Sequence, residues 1–188
     1  MLERFKVPEK DRVYVAEGQI RTATEAIFRH SGVSVDEAAR STDVLITNDL
    51  RGVESHGVSN MLRHYVADYG TNKLNPTPEF KVVRESKTTM TIDADRALGT
   101  HVGPWAMQHA IDKAKEFGMG AVAVTNSGHL AGCGYYAMMA AQQGMIGHCM
   151  TAGGSHQTVP TFGSKPVMGT NPIAWAAPAR NMPPFLFD

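Results

Sequence analysis

The sequence lacks charge imbalance, has little cysteine and holds no long apolar run. Lys+Arg and Asp+Glu both number 18 in 188 residues, with no basic block or stripe. That balance argues against nucleic-acid and membrane-surface partners. The two cysteines, Cys133 and Cys149, cannot form a disulfide framework and read as packing residues of a reduced, cytoplasmic protein. No stretch approaches the ~18 apolar residues of a membrane span. The charged start MLERFKVPEKDR has no signal-peptide core. Neither HExxH nor CxxC occurs, so no metal site is expected. A GxGxxG after a strand is missing too, which removes the usual dinucleotide fingerprint.

What is present is organised around residues 121–134, AVAVTNSGHLAGCG. The Val-rich run 121–125 has the composition of a buried parallel strand. Asn126, Ser127 and Gly128 break it before His129, and 135–143 then reads as a helix stopping at Gly144. Ligands of open α/β sheets sit outside the carboxyl ends of strands, which makes His129 the first candidate working residue.

Along the chain, residues 12–31 predict a helix with Val15, Ile20, Ala23 and Ile27 on its apolar stripe. Ser34 and Glu37 form a capping box for a second helix to about Leu50, and a third runs from Val58 to Gly70. The proline-bearing stretch TNKLNPTPEF is the best joint. It divides an N-terminal helical region, 1–74, from an α/β part, 75–188. Residues 80–84 and 89–94 read as a hairpin. Pro104 suits the first turn of a helix ending at Gly118, and a small-residue loop, 97–101, precedes it. Buried strands follow at 145–151, 173–177 and 185–187. The order implies an α/β fold: a helical layer, then a mixed, mainly parallel sheet with flanking helices. Asp188 closes the chain directly after an apolar strand, so the sequence reads as cut, not finished.

Two loops after strands, NSGH and AGGSH, should set His129 and His156 on one sheet edge, with Ser55-His56 at the seam to the helical layer. An imidazole titrating near ~6.5 suits proton transfer at neutral pH. Ser55-His56 is not expected to be a nucleophile pair, since adjacent side chains rarely face one another. Gly128, Gly132, Gly134, Gly153 and Gly154 either let backbone approach a pyrophosphate or serve ordinary tight turns.

Three ordered motifs, DLRGVESHG at 49–57, NSGHLAGCGYYA at 126–137 and GTNPIAWAAP at 169–178, resemble the malate/L-lactate dehydrogenase family of the non-Rossmann type. That family includes ureidoglycolate and sulfolactate dehydrogenases and diketogulonate reductase. The resemblance implies a homodimeric oxidoreductase moving a hydride between NAD or NADP and a small 2-hydroxy or 2-oxo acid such as malate or lactate. It implies His56 or His129 as proton donor, with Ser55 beside the substrate. It also implies His129, Gly132, Gly153, Gly154, Thr170, Asn171 and Asp188 as cofactor contacts, Asp188 holding an imidazolium by charge. Family members often carry Arg four residues after the SHG histidine, to fork onto the substrate carboxylate. Here that position is Asn60, and Arg63 is one helical turn on. The family's second half has no counterpart in the chain, so a non-catalytic fragment or interaction module is the alternative expectation.

Overall fold

The computed structural model describes residues 8–153 and 156–188. Three helices, α1 (Glu17–His30), α2 (Val35–Leu50) and α3 (Val58–Gly70), form the expected helical layer. Ser34 caps α2 by accepting from the Glu37 N–H at 3.4 Å. The reciprocal half of the capping box is not made, because the Glu37 carboxylate reaches across to His101 Nε2 at 2.5 Å. The apolar stripe of α1 differs from expectation as well. The helix starts after Val15 and buries Thr24 and Phe28, with Ile20 packed beside them. Ile20, Thr24 and Phe28 are spaced i, i+4, i+8, the row that truly shares one face. Ile27 is left exposed.

The hairpin pairs β1 (Lys81–Glu85) with β2 (Thr89–Ala97) antiparallel. Helix α4 (Gly99–Phe117) then crosses over so that β3 (Ala121–Ser127) lies parallel to β2. The loop expected at 97–101 is short. Leu98 is already the N-cap, and His101 sits buried in the first turn. Pro104 therefore lies inside the second turn and not the first. Gly118, at φ +84°, ends α4 as its sequence suggests.

Beyond α5 (Cys133–Ala141), β4 (Gly147–Met150), β5 (Ile173–Ala177) and β6 (Phe185–Phe187) form a second three-stranded sheet. Both of its ladders are antiparallel. The α/β class and the mixed sheet are as expected, but the described strands contain a single parallel pair, β2 with β3. Connection length explains this. Parallel neighbours need a crossover of a dozen or more residues. The β5–β6 link is shorter, and the β4–β5 link folds back on itself through an antiparallel bridge between Thr158 and Met168.

One core joins the helices to the α4–α5 region. Phe28, Leu45, Ile46, Leu62, Tyr65, Leu98 and Tyr136 are buried in the same cluster. No helix among the described residues is long and apolar enough to cross a membrane.

Candidate active site

The turn Glu54–His56 between α2 and α3 is built by two consecutive residues of α2. The Asp49 carboxylate accepts from the Val58 N–H at 2.9 Å, capping α3 where Gly57 offers no side chain. A Cβ on Gly57 would coincide with that carboxylate, which is why glycine stands there. Burial pushes the Asp49 carboxyl upward, against the pull of the Val58 hydrogen bond. Next to it, buried Asn48 donates to the His56 carbonyl at 3.1 Å, and its side chain fills the space beside Gly132 that a Cβ would need. Asn48 thus holds the His56 turn and the loop after β3 together.

His129 enters from that loop. Its ring stacks on His56 with centroids 5.5 Å apart and an interplanar angle of 22°. The Tyr65 hydroxyl lies 2.8 Å from His129 Nδ1. One side of His129 stays open to solvent while the other is packed against these rings. Desolvation on the packed side lowers the imidazole pKa below its ordinary 6.5, and the charges of His56 and His64 lower it further. Burial holds the Tyr65 phenol well above its usual range, so it keeps its proton. The Ala131 N–H points at the same Nδ1 at 3.4 Å. A backbone N–H can only donate, so the resting ring carries its proton on Nε2.

The structure brings together Ser55, His56 and His129, as the motifs suggest. It also corrects one expectation: Ser55 Oγ and His56 Nδ1 are 2.9 Å apart, because a tight 3-10 turn lets these neighbours face each other. Asn60 sits in the first turn of α3, and its amide donates to the Glu54 carbonyl at 2.7 Å. Arg63 is exposed, with no hydrogen bond or ion pair among the described residues. His156 follows a strand of the second sheet and His129 one of the first, so the two do not share a sheet edge.

Gly153 and Thr170 also meet. The Gly153 N–H donates to the Thr170 carbonyl at 2.7 Å, while the Asn171 amide turns to Gly169. Gly154 lies outside the described residues. Asp188 lies at the start of α5. Its carboxylate accepts from the Gly134 N–H at 2.6 Å, at the positive end of α5. It is spent on a helix terminus and is not among the charges acting on the His129 ring. The glycines mostly serve internal packing. A Cβ would meet Leu74 at Gly128, Asn48 at Gly132, Asp188 and Leu186 at Gly134, and Thr170 at Gly153. Thr170 and Asn171 are exposed.

The two cysteines are free and pack in one cluster. Cys149 hydrogen-bonds Cys133, which draws the Cys133 thiol down and pushes Cys149 up. Tyr65 and Asn48 were not recognisable as site residues from the sequence, since a Tyr and an Asn on helical faces read as core and surface. Their only signal is position, one on each helix flanking the SHG turn.

Both His129 and buried His101 have pKa values lowered mainly by desolvation. The folded state therefore binds fewer protons than the unfolded one below pH ~6.5. Stability is present above that pH and is lost as pH falls through it. A melting temperature clearly lower at pH 5.5 than at pH 7.5 is expected, and equal values would contradict it.

Residues 15–188 match the malate/L-lactate dehydrogenase family. The malate dehydrogenase of Pyrococcus horikoshii is 42% identical over 185 residues, covering 95% of this chain and 51% of the relative. The L-sulfolactate dehydrogenase of Methanocaldococcus jannaschii is 39% identical over 80% of this chain and 43% of its own length. The solved malate dehydrogenase structure from Pyrococcus horikoshii superimposes with a TM-score of 0.92 at 40% identity, covering 100% of this chain and 53% of that one. The chain spans about half the length of the curated relatives it matches.

Proposed function

The chain belongs to the malate/L-lactate dehydrogenase family, and on that premise we propose that it carries the proton-handling side of a 2-hydroxyacid dehydrogenase. The observation that carries this reading is the Tyr65–His129–His56 array at the end of β3. A nicotinamide nucleotide, NAD or NADP, supplies the hydride acceptor or donor when bound, against Thr170, Asn171 and His129. The substrate class is a small 2-hydroxy or 2-oxo acid, its carboxylate taken by Arg63, the cation that α3 leaves exposed beside the SHG turn.

His129 Nδ1 is committed to Tyr65, which leaves Nε2 to exchange a proton with the C2 oxygen. In oxidation, the ring first exchanges its resting Nε2–H for the Nδ1–H tautomer, which donates to the Tyr65 oxygen, and the freed Nε2 lone pair then takes the hydroxyl proton as the C2–H bond gives up its hydride. In reduction, the imidazolium returns that proton to the carbonyl oxygen. The lowered pKa keeps the neutral, proton-accepting ring dominant at pH 7. Stacked imidazoles resist holding two charges at once, and the His56 charge is one of the causes that lower the His129 pKa. Ser55 orients His56. The division at residues 74 and 75, a homodimeric assembly and a cytoplasmic location belong to this same reading.

Tyr65→Phe removes the ring's orienting hydrogen bond. A loss of about 0.5–1.5 kcal/mol is expected, roughly two- to tenfold in kcat, with KM little changed. A variant with wild-type kcat would remove Tyr65 from the array. The reading as a whole is tested by thermal shift with NADH and NADPH. Ligand at 100 times its Kd stabilises by about 2.7 kcal/mol, several degrees in Tm. No shift with either nucleotide favours the second reading, a non-catalytic piece, for which the glycines filled by the chain's own side chains already speak.

A further inference from the structure

The first turns of α4 are bare on one side. Gly99 and Gly103 are four residues apart and so share a helix face. A Cβ on Gly99 would lie 2.6 Å from the His129 carbonyl oxygen and 2.7 Å from the Leu130 Cα. One on Gly103 would run into the Tyr136 ring and the Leu130 side chain. The main chain at His129 and Leu130 therefore rests directly on the helix, with no side chain between them. Where α4 sits decides where the backbone of His129 sits.

What holds α4 in place comes from its other side. At 3.6 residues per turn, His101 projects about 200° round the helix from Gly99. Its side chain is 4% exposed, and its Nε2 meets the Glu37 carboxylate of α2 at 2.5 Å. The Phe80 ring closes over the imidazole at 5.2 Å. Stability alone is a poor account of this pair. Taking ionisable groups out of water is costly, and well-packed apolar residues of similar volume often serve stability as well or better. A hydrogen bond adds what apolar packing lacks, a fixed distance and direction between two helices. Helix α2 is also the one whose Asn48 and Asp49 hold the His56 corner. One bridge thus ties the seats of both histidines to a single helix.

We propose that Glu37 and His101 are positioning residues for proton transfer. Their bridge fixes the rotation of α4, and through the seat at Gly99 and Gly103 it sets the reach of His129 toward Tyr65 and the substrate oxygen. Neither residue touches substrate. The proposal rests on the acid–base reading of His129, so one of its two readouts is independent of turnover.

The test compares His101→Leu, which keeps the bulk and loses the bridge, with His101→Gln, whose amide can still donate to Glu37. Nitrogen chemical shifts of the His129 ring, recorded on the labelled 188-residue chain, report its tautomer and its bond to Tyr65. In His101→Leu the excess of the Nε2–H tautomer is expected to fall roughly threefold or more, with the circular dichroism spectrum unchanged. Reduction of 2-oxo acids should lose roughly tenfold or more in kcat, as small misplacements of a reacting group do, with KM within about twofold. His101→Gln should recover both readouts to within about threefold of wild type. If His101→Leu does not fold, Glu37→Ala, at the more exposed end of the bridge, is read in its place. The proposal is overturned if either the nitrogen shifts or kcat stays at its wild-type value, whatever happens to the melting temperature. It is also overturned if His101→Gln is as impaired as His101→Leu. A wild-type chain with no turnover would instead sink the dehydrogenase reading, and the nitrogen shifts alone would then decide the role of the bridge.

Discussion

Replacing His129 with glutamine should lower turnover about 10²–10⁴-fold in both directions, the usual contribution of a positioned general acid–base group. Glutamine can still bond Tyr65, and the position is partly open to solvent, so the fold should survive. The measurement is steady-state reduction of 2-oxo acids and oxidation of 2-hydroxy acids, alongside a thermal melt of the same sample. The pH dependence adds a second readout. Because desolvation lowers the His129 pKa, wild-type oxidation should decline only below pH ~6.5, where the ring gains its proton. Reduction should weaken as pH rises above that value. Both limbs should flatten in the variant. If His129→Gln keeps turnover within threefold and His56→Gln abolishes it, the proton passes through His56, and His129 only stacks against it.

Leu45→Ala should cost about 2–5 kcal/mol, the range for emptying a buried leucine site. Leu45 is fully buried in the cluster that also holds Tyr65, Leu98, Ala131 and Tyr136. A cavity there sits under the helices that carry Tyr65 and the SHG turn, and against the loop that carries His129. The neighbours include two large rings fixed by polar contacts: the Tyr136 hydroxyl donates to the Leu130 carbonyl at 2.7 Å. Such a site cannot collapse freely, so the upper half of the range is expected. Denaturant unfolding, comparing midpoints at unchanged slope, reads the cost. A loss below 1 kcal/mol would mean that this cluster is loosely packed.

How much of this could be read beforehand follows from the range over which each contact acts. Helix ends set by local chemistry, such as the Ser34 cap and the Gly118 stop, were legible because the residues involved lie within one turn. The β-α-β order was legible from apolar runs. The pairing of β4 with β5 was not, since strand runs carry no label for their neighbour and a fold-back at 158–168 decides it. In the site, His56 and His129 stood out as histidines between glycines. Tyr65 did not, because it acts on a residue that only tertiary structure brings near, and Asn48 did not, because it bonds a backbone carbonyl, which no side-chain pattern marks. The contact that Asp188 makes with the N-terminus of α5 was not legible either, since 54 residues separate it from Gly134.

The contacts that build the two histidines' surroundings also differ in when they can form. Asn48 and Asp49 bond groups eight and nine residues away, whereas Tyr65 meets His129 across 64 residues. Chains are synthesised at about 5–20 residues per second, so the 73 residues from position 56 to 129 take roughly 4–15 s to emerge. The His56 corner can therefore close on the nascent chain while the second imidazole has yet to be made. Its glycine-for-side-chain fit at position 57 is then a condition met at the ribosome, well before any sheet exists to support it.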